Sequence, residues 1–540
     1  IPTIAKRRDP VFFGKIAFRG GTVTLDDSDG EFDMFAEDND IFGSAVRLLI
    51  GFNDLEYSDY RRMFTGYIEN LSVTQTELRI EIQDERKRLS KRLPENVFSV
   101  SNFPDLNAKH EGKPIPLLYG LCRNVPVLST NDEESPRPQF FTFMICDTTD
   151  HAILAIDAAY VDDVAATASS KSTTNATFNL ETGNLDYSGI AGGPFTVGER
   201  IKGSASDASA EIASDDSTTI VFDKRPKDPG FDVGETITGA DSGATATVDA
   251  FTEGDYYPGD DVSADVQGYV FTSTSILIDN ALDVIVDLLT TFFPILFNGN
   301  FFNLARWPTT DAPDVEIFID RPRETIDIIE EISSSVFGLF IVQDDGLFAY
   351  RIFNENAISL QTITKEEILN LQELEIGYDS TEVLTSALIG YDKDWKNNEH
   401  LLELFNDQED AIFDKFRVLR EKTFNTLLNG QSAAQDYAET LFLFSADVKK
   451  PVVIVTKMQT IEREVGDFID VWLDRAQSTM LGKAKCEIMG IEKSGNDMTV
   501  RLECRIISIF PETIYEQSVH YDDTYYNWRF YGPTQNREVS

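Results

Sequence analysis

The sequence predicts a multidomain, mainly β protein with α+β parts. Short runs in which apolar and polar residues alternate recur along the chain, and Gly, Pro, Asp and Ser cluster between them. This pattern is typical of strands with one buried face that are joined by turns. A length of 540 residues and a hydrophobic content of 42% are enough for about three to five domains with separate cores.

The net charge is strongly negative, because 92 Asp and Glu residues outnumber 47 Lys and Arg residues to give −45 at pH 7. An acidic chain that is 11% aromatic does not belong to the disordered class, so the charge must lie on the surfaces of folded domains. Such a surface repels the phosphate backbone, which argues against DNA or RNA as a tightly held ligand. It does not argue against DNA that slides past.

We expect residues 1–105 to form the first β domain. Residues 77–83 alternate between apolar and polar side chains, which predicts a strand with one face in the core. The basic run 84–93 is predicted to be a short helix that ends before Pro94. Residues 106–165 are rich in proline, which favours extended backbone, and are expected to be a connector with β content.

Residues 166–260 contain an internal repeat. The pattern Phe-x-Val-Gly-Glu-x-Ile-x-Gly begins at Phe195 and again 36 residues later at Phe231, and the match extends over 195–212 and 231–248. Each copy predicts two short strands around a turn that contains glycine. Two copies are too few for a solenoid, so we expect a small β repeat module that is inserted into a larger protein.

Residues 261–360 are expected to form an α/β domain. Its most apolar stretch, 276–297, is interrupted by Asp279, Asp283 and Asp287, so it predicts a buried helix with a polar edge and not a membrane span. No membrane insertion is predicted.

The rest of this region shows a strand, a helix and a hairpin in succession. Apolar residues alternate with others over 315–320, an inward-facing apolar stripe follows over 326–336, and Asp344-Asp345-Gly346 is a strong hairpin turn.

Residues 361–510 are expected to form a second tube-like or C-terminal β domain with helices. A capping box, Thr364 with Glu367, predicts a helix start, and 432–444 predicts a second helix. The last 30 residues, 511–540, are aromatic and aperiodic, which is typical of an arm that becomes ordered against a partner.

Catalytic and metal-binding motifs are not found. The sequence has no GxSxG, HExxH, P-loop or GxGxxG motif, and its four histidines and four cysteines have no metal-ligand spacing. We therefore predict that the protein is not an enzyme, that it has no cofactor or metal, and that its cysteines are reduced. Acidic turns at 26–30 and 37–40 are interpreted as Asp-rich turns, with calcium binding as the alternative. No secretory signal is predicted, because charged residues interrupt the N-terminal apolar stretch.

Two groups of residues are candidates for subunit interfaces. The first is the basic run, for which pairing with an acidic neighbour is favoured over phosphate binding, and the second is aromatic, for which an anchoring role is favoured over disorder. These candidates are Arg86, Lys87, Arg88, Lys91, Arg92, Trp528, Phe530 and Tyr531.

Several segments together resemble the baseplate hub and tail-tip (distal tail) proteins of tailed bacteriophages. No single motif is specific, and the order of the segments along the chain carries the resemblance. Residues 21–33, 45–51, 62–68 and 78–89 resemble the tube-like domain, Lys113-Pro-Ile-Pro-Leu-Leu-Tyr-Gly120 resembles the segment that follows it, residues 321–329 through 345–348 resemble the α/β domain, and 465–471 resemble the C-terminal strand region. The repeat module and the aromatic arm depart from this pattern.

The resemblance implies tail-tube-like β-barrel or sandwich domains and a structural role in the virion tail. Such hubs are homotrimers that adapt a threefold tip to a sixfold tail tube and form the channel for genome ejection. It also implies a virion location at the tail tip or baseplate, with synthesis in the host cytoplasm. The implied partners are the tail tube or distal tail protein, the tape measure, and fibre or spike proteins, with DNA only in transit through the lumen.

Two alternative functions remain open at the level of the sequence. A receptor- or carbohydrate-binding tail protein used for host attachment would employ the repeat module as its binding face. A tail-tip cell-wall hydrolase would employ a pair of carboxylates, but with 92 acidic residues any chosen pair is uninformative.

Overall fold

The structure is a computed structural model that describes residues 3–8, 16–19, 21–32, 41–227, 230–294, 307–308, 312–354, 356–371, 374–377, 380–448, 450–473 and 482–511. The predicted fold class is confirmed: the chain is mainly β, with several separate sheets and few helices. Strand pairing across the sheets is almost entirely antiparallel, with a few short parallel ladders.

The first sheet is four-stranded and antiparallel, and in spatial order its strands are Thr22–Asp26, Glu77–Gln83, Arg61–Val73 and Ala45–Ile50. The predicted alternation is confirmed, because Leu78 and Ile82 are buried while Arg79 is exposed. The predicted short helix at 84–93 is only partly correct.

That basic run forms a 3-10 helix over Glu85–Leu89 and then a short strand, Arg92–Leu93, which pairs with Arg323–Glu324. The physical reason is a tertiary contact, in which the Thr325 N–H and hydroxyl both donate to the Lys91 carbonyl. Because this carbonyl is bonded outside the run, the backbone after it is extended and not helical.

A second sheet joins the two ends of the chain, and we call it the terminal sheet. Its seven strands are Ile16–Arg19, Thr3–Arg8, Gly482–Ser494, Phe468–Leu473, Thr362–Ile363, Thr499–Pro511 and Pro451–Lys457. Thr3 lies opposite Ser494 and Arg7 lies opposite Gly490. The sequence-based domain boundaries stay a prediction, to which this pairing adds that Thr3–Arg8 and Ile16–Arg19 belong to the terminal sheet.

The middle of the chain builds a central sheet and several smaller ones. The central strands are Val164–Ala166, Ile153–Val161, Val262–Tyr269, Leu121–Pro126, Ser386–Asp394, Glu399–Asp407 and Glu421–Asn425. A four-stranded sheet contains Leu128–Ser129, Phe140–Met144, Thr177–Glu181 and Ser170–Ser172, and two pairs join Leu117–Tyr119 with Ile317–Ile319 and Gly338–Val342 with Phe348–Ile352. The last pair is the hairpin predicted across residues 344–346.

Four helices pack against these sheets: α1 (Ala281–Phe292), α2 (Thr325–Ser335), α3 (Glu409–Phe416) and α4 (Gln431–Ser445). Single turns of 3-10 helix lie at Tyr57–Asp59, Ala108–His110, Lys365–Glu367 and Met458–Thr460. In the predicted capping box, the Glu367 carboxylate does accept the Thr364 N–H at 2.7 Å, but the helix that follows is one 3-10 turn.

Residues 315–319 of the alternating segment are all buried, and one prediction of exposure in this region is wrong. Glu316 and Phe318 are buried together with the apolar residues they alternate with, because strands and helices cover both faces of this segment. Asp287, expected on a polar edge of α1, is buried as well.

The repeat module forms one sheet with its own core. Its strands, in spatial order, are Ser209–Glu211, Arg200–Gly203, Thr236–Gly239, Thr245–Thr252, Asn184–Ala191, Thr219–Val221 and Ser214–Asp215. The two copies meet where Lys202 lies opposite Thr238, its own equivalent 36 residues later. An antiparallel pairing of equivalent residues relates the two copies by a local twofold axis.

Candidate functional site

The basic run 84–93 lies between the first sheet and helix α1, and we call its contacts with these two elements the basic joint. Arg86 is buried, and its Nε and Nη2 donate to the Asp84 carboxylate at 2.9 and 2.8 Å. Lys87 pairs with Glu69 on the long strand of the first sheet. These charges are therefore neutralised within the chain.

Two further basic residues extend this joint in both directions. Arg88 pairs with Glu85 at 2.7 Å and its guanidinium lies 4.3 Å above the centre of the Tyr67 ring. Lys91 donates to the Phe292 carbonyl at the end of α1 at 3.1 Å. The run thus connects the first sheet to α1 through side chains as well as backbone.

Arg92 differs from the other four, because its side chain is exposed and forms no ion pair with any residue the structure describes. Trp528, Phe530 and Tyr531 lie outside the described residues. The structure therefore brings Arg86, Lys87, Arg88 and Lys91 together at an internal joint, and their role at a subunit interface stays a prediction.

The segments that carry the family resemblance converge in space. Phe64 of the 62–68 segment and Ile82 of the 78–89 segment share one hydrophobic core with Ile341 of the hairpin and Ile469 of the 465–471 segment. The connector at 113–120 pairs, through Leu117–Tyr119, with Ile317–Ile319 just before the α/β segment. Segments that are hundreds of residues apart in the sequence therefore pack together, one set in a shared hydrophobic core and the other in a pair of strands.

A cluster of buried, oppositely charged side chains lies beside this shared core. The Lys6 ammonium lies 3.0 Å from the Glu464 carboxylate and 3.2 Å from that of Asp344, and Lys493 pairs with the second oxygen of Asp344. Burial alone would raise the pKa of Glu464, but Lys6 and Lys493 hold it well below its usual range. The cluster joins two strands of the terminal sheet, Thr3–Arg8 and Gly482–Ser494, to the hairpin turn that contains Asp344.

A second cluster of buried charges also involves the strand Thr3–Arg8. The Glu487 carboxylate accepts from Arg8 at 2.6 Å and from Arg505 at 2.5 Å, so it joins the first and last strands of the terminal sheet. Burial opposes ionisation, but the two guanidinium groups hold the pKa of Glu487 below its usual range. Arg505 lies between the apolar residues Cys504 and Ile506 on its strand, and the ion pair with this carboxylate explains why a guanidinium is buried there.

A third buried group joins α1 to the strand Leu117–Tyr119 and to the loop before Ile153–Val161. The Tyr119 hydroxyl donates to Asp287 Oδ2 at 2.8 Å, and His151 Nε2 lies 3.0 Å from Asp287 Oδ1. The nearby Asp287 carboxylate raises the pKa of His151. These contacts satisfy the buried Asp287 carboxylate that the sequence pattern placed in solvent.

Five further groups with raised pKa values are buried. Burial raises the pKa of Glu316 to about 8, and it raises the pKa values of all four buried cysteine thiols. A thiol held in its neutral form is a poor nucleophile. Clefts at 50–61, at 161–166, beside Asp84 and beside Phe353 are lined by residues other than these.

The described residues contain neither a cluster of metal-ligand side chains nor a membrane-spanning helix. No group of three or more His, Cys, Asp or Glu side chains in the described ranges is placed to hold a metal ion. The acidic segment at 26–30 contains a turn in which the Asp26 carboxylate accepts the Ser28 N–H at 3.1 Å, while 37–40 lies outside the described residues. Within the described part of the chain, no helix has the length and apolarity needed to cross a bilayer.

The repeat module contains a reciprocal pair of carboxylates that the sequence did not reveal. Glu199 accepts hydrogen bonds from the N–H groups of Asp241 and Ser242, both at 3.0 Å, and Glu235 accepts from those of Ala205 and Ser206 at 2.8 and 3.0 Å.

Each copy of the repeat therefore caps a turn of the other. A Cβ atom at Gly203 would lie 2.5 Å from the Glu235 carboxylate, and one at Gly239 would lie 2.5 Å from that of Glu199. This close approach explains the glycine that ends each copy of the repeated pattern.

Neither a protein-family model nor a curated protein matches the sequence. Among solved structures, the chain is similar to one from the virion of a native gene transfer agent particle, with 9% identity, coverage of 74% of this chain and 87% of that chain, and a TM-score of 0.42. It is also similar to a tail protein from Neisseria meningitidis MC58, with 13% identity, coverage of 60% and 96%, and a TM-score of 0.30. A 43 kDa tail protein of prophage MuSo2 from Shewanella oneidensis gives 8% identity, coverage of 60% and 98%, and a TM-score of 0.28. These are distant likenesses, and they assign no activity to this chain.

Proposed function

We propose that this chain is a structural, non-enzymatic protein of a phage-type virion tail that acts as the baseplate hub at the tail tip. The observation that carries the proposal is the convergence of the segments that resemble the hub family. Phe64, Ile341 and Ile469 come from three of those segments and share one core. A chance resemblance of scattered segments does not require them to meet in space.

The charge of the chain supports a role as a channel wall. Four of the five candidate basic residues are used inside the chain, which leaves the acidic excess on the surface. A trimer would carry a formal charge of −135, three times −45. Such a wall repels the phosphate backbone, so DNA passes through the lumen without binding to it.

The buried ion clusters support a mechanical role. Arg8 and Lys6 attach the first strand to the last sheet through Glu487 and Glu464. A hub that transmits force between the tube and the tip complex needs chain ends that do not separate.

Deleting the coding sequence from the genome that encodes the chain tests this proposal. We expect particles without assembled tails, visible by electron microscopy, and rescue by the full-length chain supplied in trans. Complete tails in the deletion strain would contradict a hub role. A zymogram of the purified chain on peptidoglycan tests the non-enzymatic part, and clearing would contradict it.

A second candidate function, receptor binding, is favoured by one feature of the repeat module. Val197 and Val233 occupy equivalent positions in the two copies and are 60% and 69% exposed. Two equivalent apolar turns form a surface on which a receptor or glycan can bind. Complete tails that fail to adsorb to cells after removal of the module would favour this alternative over the hub.

A further inference from the structure

The cleft beside Phe353 has an apolar mouth that no other described segment covers. It encloses about 1000 Å³ between the second strand of the hairpin, α4 and the loop before Phe468–Leu473. Ile358, Leu360 and Leu443 line it and are 86%, 59% and 58% exposed. Single exposed aliphatic side chains are common, but three around one opening form a patch that favours a bound partner.

The wall of this cleft is aromatic and rigid. The Phe353 ring centre lies 4.1 Å from that of Phe444 and 6.0 Å from that of Phe468. The Arg505 guanidinium lies 4.2 Å above Phe444, which holds the ring in place from the sheet side. An aromatic side chain that enters the cleft meets ring faces and edges.

The cleft also contains a cation without a partner. Arg463 lines it, its Nε is buried without a hydrogen-bond partner, and it forms no ion pair with any described residue. The neighbouring Arg351, by contrast, is neutralised by Asp467. An occupant with both aromatic and carboxylate side chains would satisfy the mouth, the wall and Arg463 together.

We propose that residues 512–540 of this chain bind back into this cleft, with aromatic side chains from 521–531 at its mouth and the Asp522-Asp523 pair on Arg463. This segment has seven aromatic residues, five carboxylates and two arginines, so it combines the required apolar surface with net negative charge. The inference does not depend on the proposed function.

The position of the last strand makes this return possible. Thr499–Pro511 passes the cleft at Arg505, whose guanidinium lies 6.0 Å from the Phe353 ring centre, and ends opposite Gly482. Six residues of strand separate Arg505 from Pro511, which corresponds to about 20 Å. The eleven residues from Pro511 to Asp522 span up to about 36 Å when extended, so the acidic pair reaches Arg463 without strain.

Disulfide trapping in the full-length chain tests the proposal. We expect Ile358→Cys combined with Phe530→Cys to form an intramolecular disulfide whose yield does not change on dilution, because the four native cysteines are buried and do not compete. The matched control is Val233→Cys with Phe530→Cys, since Val233 is also well exposed, at 69%, but lies in the repeat module, and it should not react. A disulfide only between two molecules, equal reaction in the control, or no reaction would each overturn binding within one chain.

A second measurement separates docking from chance contact. Adding Arg463→Met to the reactive pair should slow the trapping about tenfold, because a charge-assisted hydrogen bond is lost. In parallel, a chain that ends at Pro511 should show faster hydrogen exchange over 350–360 than the full-length chain. Unchanged trapping and unchanged exchange would overturn the proposal.

Discussion

The repeat module and the terminal sheet both have seven strands, but they are assembled in opposite ways. The module uses the continuous span from Asn184 to Thr252, whereas the terminal sheet pairs Thr3–Arg8 with Gly482–Ser494. Both have an apolar core, to which the module adds two hydrogen-bonded carboxylates and the terminal sheet adds two buried clusters of paired charges. A sheet built from one continuous span of sequence is therefore a separable unit, whereas a sheet that pairs strands far apart in the sequence connects distant parts of the chain.

The largest expected effect is in the terminal sheet. Glu487→Ala should destabilise it by about 3–5 kcal/mol, because the buried Arg8 and Arg505 lose their shared counter-charge. Hydrogen exchange over Gly482–Ser494 measures the change. The matched control is Glu492→Ala on the same strand, whose pair with Arg501 is more than 40% exposed on both sides and should cost less than about 1 kcal/mol. Equal effects of the two substitutions would contradict the role of the buried cluster.

A smaller effect is expected for the carboxylates of the module. Glu199→Ala and Glu235→Ala should each cost about 2–3 kcal/mol, since several backbone N–H groups lose an acceptor. The local twofold predicts that the two costs are similar, as measured by hydrogen exchange of the module. Glu211→Ala is the control, because its carboxylate is 49% exposed. A large effect at only one of the two positions would break the equivalence of the copies.

The same carboxylates predict an acid limit for the module. Burial opposes their ionisation, but hydrogen bonds from Ser242 and Ser206 hold the pKa values of Glu199 and Glu235 below the ordinary 4.5. A lowered folded pKa gives stability that is present above pH 4.5 and is lost as the pH falls through the folded value. The double variant Glu199→Gln and Glu235→Gln should therefore show a flatter stability profile below pH 4.5 in calorimetry. An unchanged dependence of stability on pH below 4.5 would contradict this assignment.

The smallest effect is expected from removing the module as a whole. Asn184 and Thr252 are strand partners, so their Cα atoms lie about 5 Å apart and a short Gly-Ser linker can replace the span between them. The terminal sheet should keep its exchange protection to within about 1 kcal/mol, because it shares no core with the module. Loss of protection in the terminal sheet would show that the two regions are not independent.

Much of the fold was predictable where the signal is local. The repeat at Phe195 and Phe231, the alternation at 77–83 and the hairpin turn at 344–346 each predicted the observed element. The pairing of Thr3–Arg8 with the terminal sheet was not predictable, because nothing in a strand of six residues indicates which distant strand it pairs with.

Buried charges were missed for a related reason. Asp287 and Glu316 look like solvent-facing residues in any local pattern, and only the fold places Tyr119 and His151 beside Asp287. The basic joint was found from its charge, but its partners were not, since Glu69 and the Phe292 carbonyl lie far from it in sequence or on another element.

Image averaging by electron microscopy of the purified chain, alone and with its tail-tube partner, tests the central claim most directly. A structural hub predicts a closed ring with threefold symmetry and a central channel lined by the acidic surface. A chain that stays monomeric under both conditions would contradict the hub.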